Sequence, residues 1–424
     1  MKKILMFLAG VALAALLVAG TLAVVALRAI APQPGEWHTT VSLWRWQREA
    51  SVPTLLRWGT HPLLLPRLHG HRVVTSAGTW LLQAQGENTL EARCAPCSVQ
   101  LDALGPQPVT VDQARITLHV RGADRYDGML RLGAGTEPVS LPWRAELKAE
   151  GLKLHVELAP TPLQPLLALF GEALPEMKRA RVEGRFAFVA DATLGEQGLQ
   201  FQRLVPRLSD VSVDGLGTET LADADPGASC RPQPAGGRIE GWIQNAVIAA
   251  EDQRFFEHPG YELDAWVTVW KRNQNEPEAL QGASTITQQL AKLVYTGDER
   301  DAMRKLREWL YAVEMERTLG KGRILQLYLA VLPWGDGICG AEAAARHHLG
   351  KPANQLKPRE AAWLASLLVN PDLQLRRWAL EKEQARERTA WVLKGIRRLP
   401  RERREAELDA LVSWRPPIGR QVPR

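Results

Sequence analysis

Cysteine is scarce in this chain, with four in 424 residues. Two stand as Cys94-Ala95-Pro96-Cys97, a spacing used by redox sites. No thioredoxin-like strand–helix–strand pattern surrounds them, so a local structural disulfide is the expectation. Zinc of the finger type is not expected, because no second Cys or His pair follows at that spacing. Cys230 and Cys339 are left open, paired or free. Four cysteines fit an oxidising compartment. Long apolar runs are absent beyond residue 27, which leaves one candidate helical span. An acidic balance is also missing. The net charge is +6 and the pI near 9.2, which suits an anionic membrane surface or a phosphate-bearing substrate.

The one long apolar run follows Met1-Lys2-Lys3 and extends from Ile4 to Leu27 without a charge. A bilayer-spanning helix needs roughly 20 apolar residues. Two lysines before the run predict a cytoplasmic N-terminus. A cleaved signal peptide is the rival, with Val18-Ala19-Gly20 as small residues, but signal h-regions are shorter, about 7–15 residues. An uncleaved single-pass anchor over residues 1–30 is therefore expected, with the rest of the chain outside the cytoplasmic membrane. Trp37, Trp44, Arg45, Trp46, Arg48, Arg57 and Trp58 follow, a mixture that suits a headgroup layer or an ordinary globular start. Nucleic acid is not expected as a partner there.

What remains exceeds one typical domain of about 100–200 residues, and its patterning changes midway. Between about residues 70 and 220, apolar residues alternate with polar ones. Ile116, Leu118 and Val120 alternate with Thr117, His119 and Arg121. Trp143, Ala145, Leu147 and Ala149 form one face; Leu152, Leu154, Val156 and Leu158 form another; Phe186 and Phe188 continue the habit. Period two argues for half-buried antiparallel strands, so residues 31–222 read as a β-rich domain of unknown role, without a catalytic constellation. The alternation is similar to that of the β-rich repeats of AsmA-like envelope proteins, with no motif to accompany it. Pro/Gly-rich residues over 223–238 read as a linker. From Ile239 the period becomes helical. Leu306, Leu310 and Val313 recur at i, i+4, i+7, and Ile324, Leu325, Leu327 and Tyr328 make a further face. Ala341–Ala345 and Glu360–Leu368 read as two more helices.

Candidate chemistry sits in two polar stretches of the helical half. Ala246-Val247-Ile248-Ala249-Ala250 ends abruptly at Glu251 and Asp252. A carboxylate at an apolar edge has its pKa raised, because desolvation disfavours the charged form, and so makes a general base near neutral pH. The bland alternative is a solvated pair of acids at a helix end. Phe255 and His258 follow within two turns and suggest a packed surround. A metal held by Glu251, Asp252 and His258 lacks a further ligand at typical spacing. Ser284, Thr285, Thr287, Gln288 and Gln289 supply hydroxyls and amides suited to sugars and diphosphates. They also read as a helix cap, and a helix N-terminus is itself an anion site. Glu308 points away from the Leu306 stripe, with Arg304 one turn before it. An exposed pair of that kind contributes only about 0.3–0.5 kcal/mol. Arg300, Lys305 and Arg307 crowd the same stretch.

Ordered motifs between residues 239 and 371 resemble glycosyltransferase family 51, the peptidoglycan glycosyltransferase domain of penicillin-binding proteins and of monofunctional transglycosylases. Glu251-Asp252-x-x-Phe255-x-x-His258-x-Gly260 matches the first motif, Ser284-Thr285-Ile286-Thr287-Gln288-Gln289 the second, and Arg304-Lys305-x-x-Glu308 the third. Lys321-x-x-Ile324-Leu325-x-x-Tyr328-Leu329, with Gly335-Asp336-Gly337-Ile338 and Gly340-Ala341-Glu342-Ala343-Ala344-Ala345, matches the fourth. Leu356-x-x-x-Glu360-Ala361-Ala362-x-Leu364-Ala365 with Pro371 matches the fifth. The Gly335-Asp336-Gly337 stretch looks most like the monofunctional branch.

The resemblance implies a mainly α, lysozyme-like glycosyltransferase domain over 239–375. The charged, helix-prone residues 376–424 read as a solvated helix covering that domain, with a basic membrane-surface helix as the alternative. The resemblance also implies polymerisation of lipid II onto a growing glycan chain at the bacterial inner membrane, with the catalytic domain in the periplasm and other cell-wall synthesis proteins as partners. Glu251 and Glu308 become the catalytic pair. Glu251 is the base; Glu308 orients cations, assists the leaving group or holds a divalent ion. Asp252, Phe255, His258, Ser284, Thr285, Gln288, Gln289, Lys292, Arg300, Arg304, Lys305 and Arg307 become substrate-binding positions. No cofactor is required and no metal ligand is assigned, with magnesium or manganese as an option. Trp266, Val267, Val269 and Trp270 would form a jaw dipping into lipid. Ala283, Leu293, Ala330, and His347 with His348-Leu349 depart from the usual pattern without removing a catalytic group. The chain contains no Ser-x-x-Lys motif, so transpeptidase activity is not expected. Two rivals stand beside this reading: a lysozyme-like glycan hydrolase and a decayed transferase serving as an envelope scaffold.

Overall fold

The computed structural model describes residues 28–43, 46–75, 77–99, 109–133, 138–223, 238–275, 284–297, 302–335, 337–380 and 382–415. The expected span Ile4–Leu27 lies outside the described residues, as do Cys230, Arg300 and most of the linker. Among the described residues no helix is long and apolar enough to cross a membrane.

The alternating stretch folds as antiparallel sheet. Strands β1 (His38–Leu43) and β2 (Trp46–Ser51) pair with each other. Helix α1 (Val52–Gly59) follows, started by the Ser51 hydroxyl, which accepts from the Thr54 N–H at 3.1 Å. Strands β3 (Arg72–Thr75), β4 (Gly78–Gln85), β5 (Thr89–Cys94), β8 (Ala114–Gly122), β9 (Arg125–Leu132), β10 (Val139–Leu147), β11 (Gly151–Pro162), β12 (Arg181–Gly195) and β13 (Gly198–Asp214) build one nine-stranded sheet in the order 13-12-11-10-9-8-5-4-3. The short β6 (Cys97–Val99) and β7 (Val109–Val111) pair separately. Register places Tyr126, Ala145, Leu154 and Ala192 in one row across four strands. Leu56 of α1 packs on Tyr126, Ala145 and Leu147, the apolar face that the period-two pattern expects. Helix α2 (Leu163–Ala168) follows β11. Cys94 and Cys97 form the local disulfide, and among the described residues no cysteine is free.

The chain divides into two compact units, but not at residue 223. The first runs through Gly171 and takes in Arg185–Ser209; the second holds Glu172–Gly184 and everything from Asp210 onward. The expected β-rich domain 31–222 therefore cedes two segments to the helical unit. The reason is burial. Leu174, Ala180, Val213 and Leu216 are 0–4 % exposed, and the carboxylate of Glu314, itself fully buried, accepts the N–H groups of Leu216 (2.7 Å) and Thr218 (3.1 Å).

The helical unit contains α3 (Trp242–Glu251), α4 (Leu263–Asn275), α5 (Ile286–Ala291), α6 (Ala302–Thr318), α7 (Gly320–Val331), α8 (Ala341–Leu349), α9 (Pro358–Ser366), α10 (Pro371–Leu380), α11 (Lys382–Gly395) and α12 (Arg401–Ser413). A π-turn, Lys292–Thr296, follows α5. Helix α6 is central. Of the expected stripe Leu310 and Val313 are buried and Leu306 is half-buried; Trp309, Tyr311, Ala312 and Met315 are buried too, because α5, the π-turn, α7 and the short helix Thr218–Leu221 pack around the helix. Within the expected extension 376–424, α11 is packed into the core instead of being solvated. Ala385, Thr389, Val392 and Ile396 recur at i, i+4, i+7, i+11 and are all buried, and α11 lies on α9 and α3.

Candidate active site

Helix α3 ends at Glu251 because Asp252 leaves the helical region, at φ −161° and ψ 77°, while its N–H still bonds Ile248 O at 2.9 Å. The Asp252 carboxylate turns inward. It accepts from His258 Nε2 at 2.9 and 3.0 Å and from the Ile286 N–H at 2.9 Å. His258 Nδ1 accepts from the Gly260 N–H at 3.1 Å, so the ring proton lies on Nε2, facing Asp252. Gly260 has φ +90°, and a Cβ there would stand 2.8 Å from Glu316 Cγ. Thr285 caps α5, exchanging bonds with Gln288, and its hydroxyl donates to Gly260 O at 2.6 Å.

Asp252, Phe255, His258, Thr285 and Gln288, expected to bind substrate, are buried. They tie the first polar stretch to the second. The N-terminus of α5 is not an open anion site either, since Asp252 and the Thr285 hydroxyl already take the N–H groups of Ile286 and Gln288.

Glu251 is different. Its Oε2 accepts from Gln289 Nε2 at 3.0 Å, and Gln289 Oε1 accepts from the Tyr328 hydroxyl at 2.6 Å. The amide is thereby oriented, with its N–H toward the carboxylate. Glu251 Oε1 is buried and has no protein partner. Burial pushes the Glu251 carboxyl above its usual range. The Gln289 bond and the Arg388 charge oppose the rise, and Asp252 adds to it. Burial likewise holds the Tyr328 hydroxyl well above its usual range, so it stays a donor. A basic carboxylate with one oxygen oriented and one unused suits proton abstraction.

The second cluster lies at the start of α6. Glu308 is fully buried, not the exposed acid of a surface pair. Its Oε1 accepts from Arg304 and its Oε2 from Lys305 Nζ at 2.6 Å. Lys305 Nζ also donates to the Ser284 hydroxyl at 2.7 Å, and its side chain is 42 % exposed, so an anion can reach it. Arg304 Nε has no partner. A polar path therefore joins the two acids: Glu251, Gln289, Ser284, Lys305, Glu308. Arg307 does not join it; its Nε donates to Glu176 Oε1 at 2.7 Å. Lys292 opens the π-turn, and Arg300 lies outside the described residues.

Among the described residues no cluster of three or more His, Cys, Asp or Glu is arranged for a metal. Asp252 and His258 bind each other, and a divalent ion on Glu308 would have to displace Arg304 or Lys305. Three further groups complete the surround. Tyr328 is legible in the sequence as part of a helical face and of a motif, but not as a site residue. Lys321 bonds Glu316 at 2.8 Å and lies 4.5 Å from the Phe255 ring centre. Arg388, on α11, donates to Ser366 O at 3.0 Å and feels Glu251; no local pattern marks it.

A family model described as Transglycosylase matches residues 231–397. Among curated proteins, the biosynthetic peptidoglycan transglycosylase of Nitrosomonas eutropha is 46% identical over 134 residues, 32% of this chain and 55% of that protein. The protein of the same name from Laribacter hongkongensis is 40% identical over 152 residues, 36% of this chain and 67% of that protein. That of Aeromonas hydrophila is 49% identical over 129 residues, 30% and 54% of the two chains. The chain thus spans little more than half the length of several curated relatives that it matches.

Proposed function

Because this chain belongs to the transglycosylase family, glycosyltransferase family 51, we propose that it polymerises lipid II into glycan strands at the outer face of the bacterial inner membrane. Glu251 removes the proton of the acceptor sugar 4-hydroxyl. That oxygen attacks the anomeric carbon of the growing chain with inversion, and the bond to undecaprenyl diphosphate breaks. The diphosphate leaves with the bonding pair, so it needs cations more than a proton. Arg304 and Lys305 supply them, and Glu308 holds both in place. Lys292 and Arg300 add positive charge for the diphosphate. Trp266, Val267 and Val269 on α4 enter the lipid, and Ile4–Leu27 anchors the chain.

The observation that carries this reading is the unpartnered Glu251 Oε1, on a carboxyl raised by burial and joined by a polar path to a cationic cluster. A hydrolase of a neutral glycosidic bond has no use for that cluster. A decayed scaffold has no reason to keep a carboxylate oxygen buried without a partner, which costs about 1–3 kcal/mol. Purified full-length protein with labelled lipid II is expected to yield glycan polymer, and Glu251→Gln to lower the rate by about 10²–10⁴-fold. Folded wild-type protein that makes no polymer across detergents and divalent cations would sink the reading. Labelled penicillin is expected not to attach covalently; attachment would refute a transferase without transpeptidase activity.

A further inference from the structure

Residues 172–184 precede the family match at 231–397, yet they belong to the compact unit that contains α6. Leu174 (0 % exposed) and Ala180 (4 %) root the segment in the core. Gly215, at φ +91°, lets two backbones meet there, since a Cβ would stand 2.6 Å from Arg179 O. Two charged side chains reach α6 from this segment. Glu176, buried, accepts from Arg307 Nε at 2.7 Å, and its other oxygen is buried without a partner. Arg179 Nη2 donates to the Tyr311 hydroxyl at 3.1 Å.

Tyr311 stacks on Tyr295, with ring centres 4.2 Å apart and planes 2° apart. Tyr295 belongs to the π-turn that begins at Lys292. Such turns are rare, occur often at functional sites, and need holding. Burial pushes the Tyr295 hydroxyl up to about 12 and raises Tyr311 as well, so the stack stays neutral at working pH. Arg307 and Tyr311 lie one turn apart on α6, beside the turn that bears Arg304, Lys305 and Glu308. One short segment therefore holds α6 directly and, through the Tyr311–Tyr295 stack, reaches the π-turn.

We propose that Glu176 and Arg179 are positioning residues for the glycosyl transfer. They fix the π-turn against α6 through Arg307, Tyr311 and Tyr295, and so set the spacing between Lys292 and the Arg304–Lys305–Glu308 cluster. The assignment rests on the transferase reading above. A displacement of about 1 Å at such a cluster can cost on the order of 100-fold in rate.

The test uses the full-length chain carrying Arg179→Ala, Arg179→Lys, Tyr311→Phe, the Arg179→Ala/Tyr311→Phe double variant or Glu176→Gln. Lipid II polymerisation, thermal melting and amide exchange over residues 292–297 are measured on each. Arg179→Ala and Tyr311→Phe are expected to lower kcat by about 10–100-fold while KM moves less than about threefold. The double variant is expected to be no worse than the worse single one, because both break one link. Arg179→Lys restores most of the rate, Glu176→Gln lowers kcat less, and exchange over 292–297 quickens in Arg179→Ala. Folded variants that polymerise within twofold of wild type, or single effects that simply multiply, overturn the proposal. Unchanged exchange over 292–297 overturns it even where no polymer forms at all, whereas a wild-type protein that makes no polymer overturns only the transferase reading. Should Arg179→Ala not fold, Tyr311→Phe, which removes one hydroxyl, decides by the same measurements.

Discussion

Glu251 and Glu308 look alike in sequence, each an acid within a polar stretch, yet their partners in the fold differ. Glu308 has both oxygens saturated by Arg304 and Lys305, so it serves as a fixed counter-charge. Glu251 has one amide partner and one unused oxygen, so its charged form is poorly supported and its pKa rises. In the proposed reaction Glu251 must be ionised to act as the base, so kcat/KM is expected to rise with pH through an acid limb above the ordinary Glu value of about 4.3. A limb at or below that value would contradict the burial. Stability should move the other way. A carboxyl that holds its proton more tightly when folded favours the native state at low pH, and that favour is lost as pH rises through the folded pKa. Glu251→Gln is therefore expected to raise the melting temperature at pH 7, and the gain should shrink toward pH 4. Arg307 shows the limit of reading residues by neighbourhood. It shares a cationic run with Arg304 and Lys305, but a rotation of 100° per residue sends it to Glu176.

Helical elements are legible where their apolar spacing is regular. The faces over Ile324–Tyr328, Ala341–Ala345 and Glu360–Leu368 correspond to α7, α8 and α9. Two further elements are legible as helices but not in how deeply they are buried, because their charge content hides it. Helix α6 carries Arg304, Lys305, Arg307, Glu308, Glu314 and Glu316 and is nonetheless the central helix, because its acids are paired internally. Helix α11 is rich in Arg and Glu, but Leu393 and Val392 are fully buried against α9 and α3. If that helix were a solvated extension, Leu393→Ala would cost almost nothing. As a core position it is expected to lose about 2–5 kcal/mol, measured by denaturant unfolding of full-length protein.

At the scale of the molecule, the helical unit is assembled from separate stretches of chain, since Glu172–Gly184 and the residues just after Asp210 close it together with the helices from α3 to α12. Removing residues 1–222 would strand the buried Glu314 carboxylate without the Leu216 and Thr218 N–H groups and leave Arg307 without Glu176. Unpaired buried charge costs about 3–5 kcal/mol. A chain starting at residue 223 is thus expected to melt well below the full-length protein or not to fold; equal melting would show that these segments are dispensable. By itself the sequence determined the period-two and helical halves, the five ordered motifs and so the family, and the identity of the acids, because periodicity and residue spacing are local properties of the chain. The tertiary structure alone decided which oxygen of Glu251 is unused, which cations reach Glu308, and where one unit ends and the next begins. Those outcomes depend on desolvation and on partners distant in sequence, such as Glu176 and Arg307, 131 residues apart, and no local pattern encodes them.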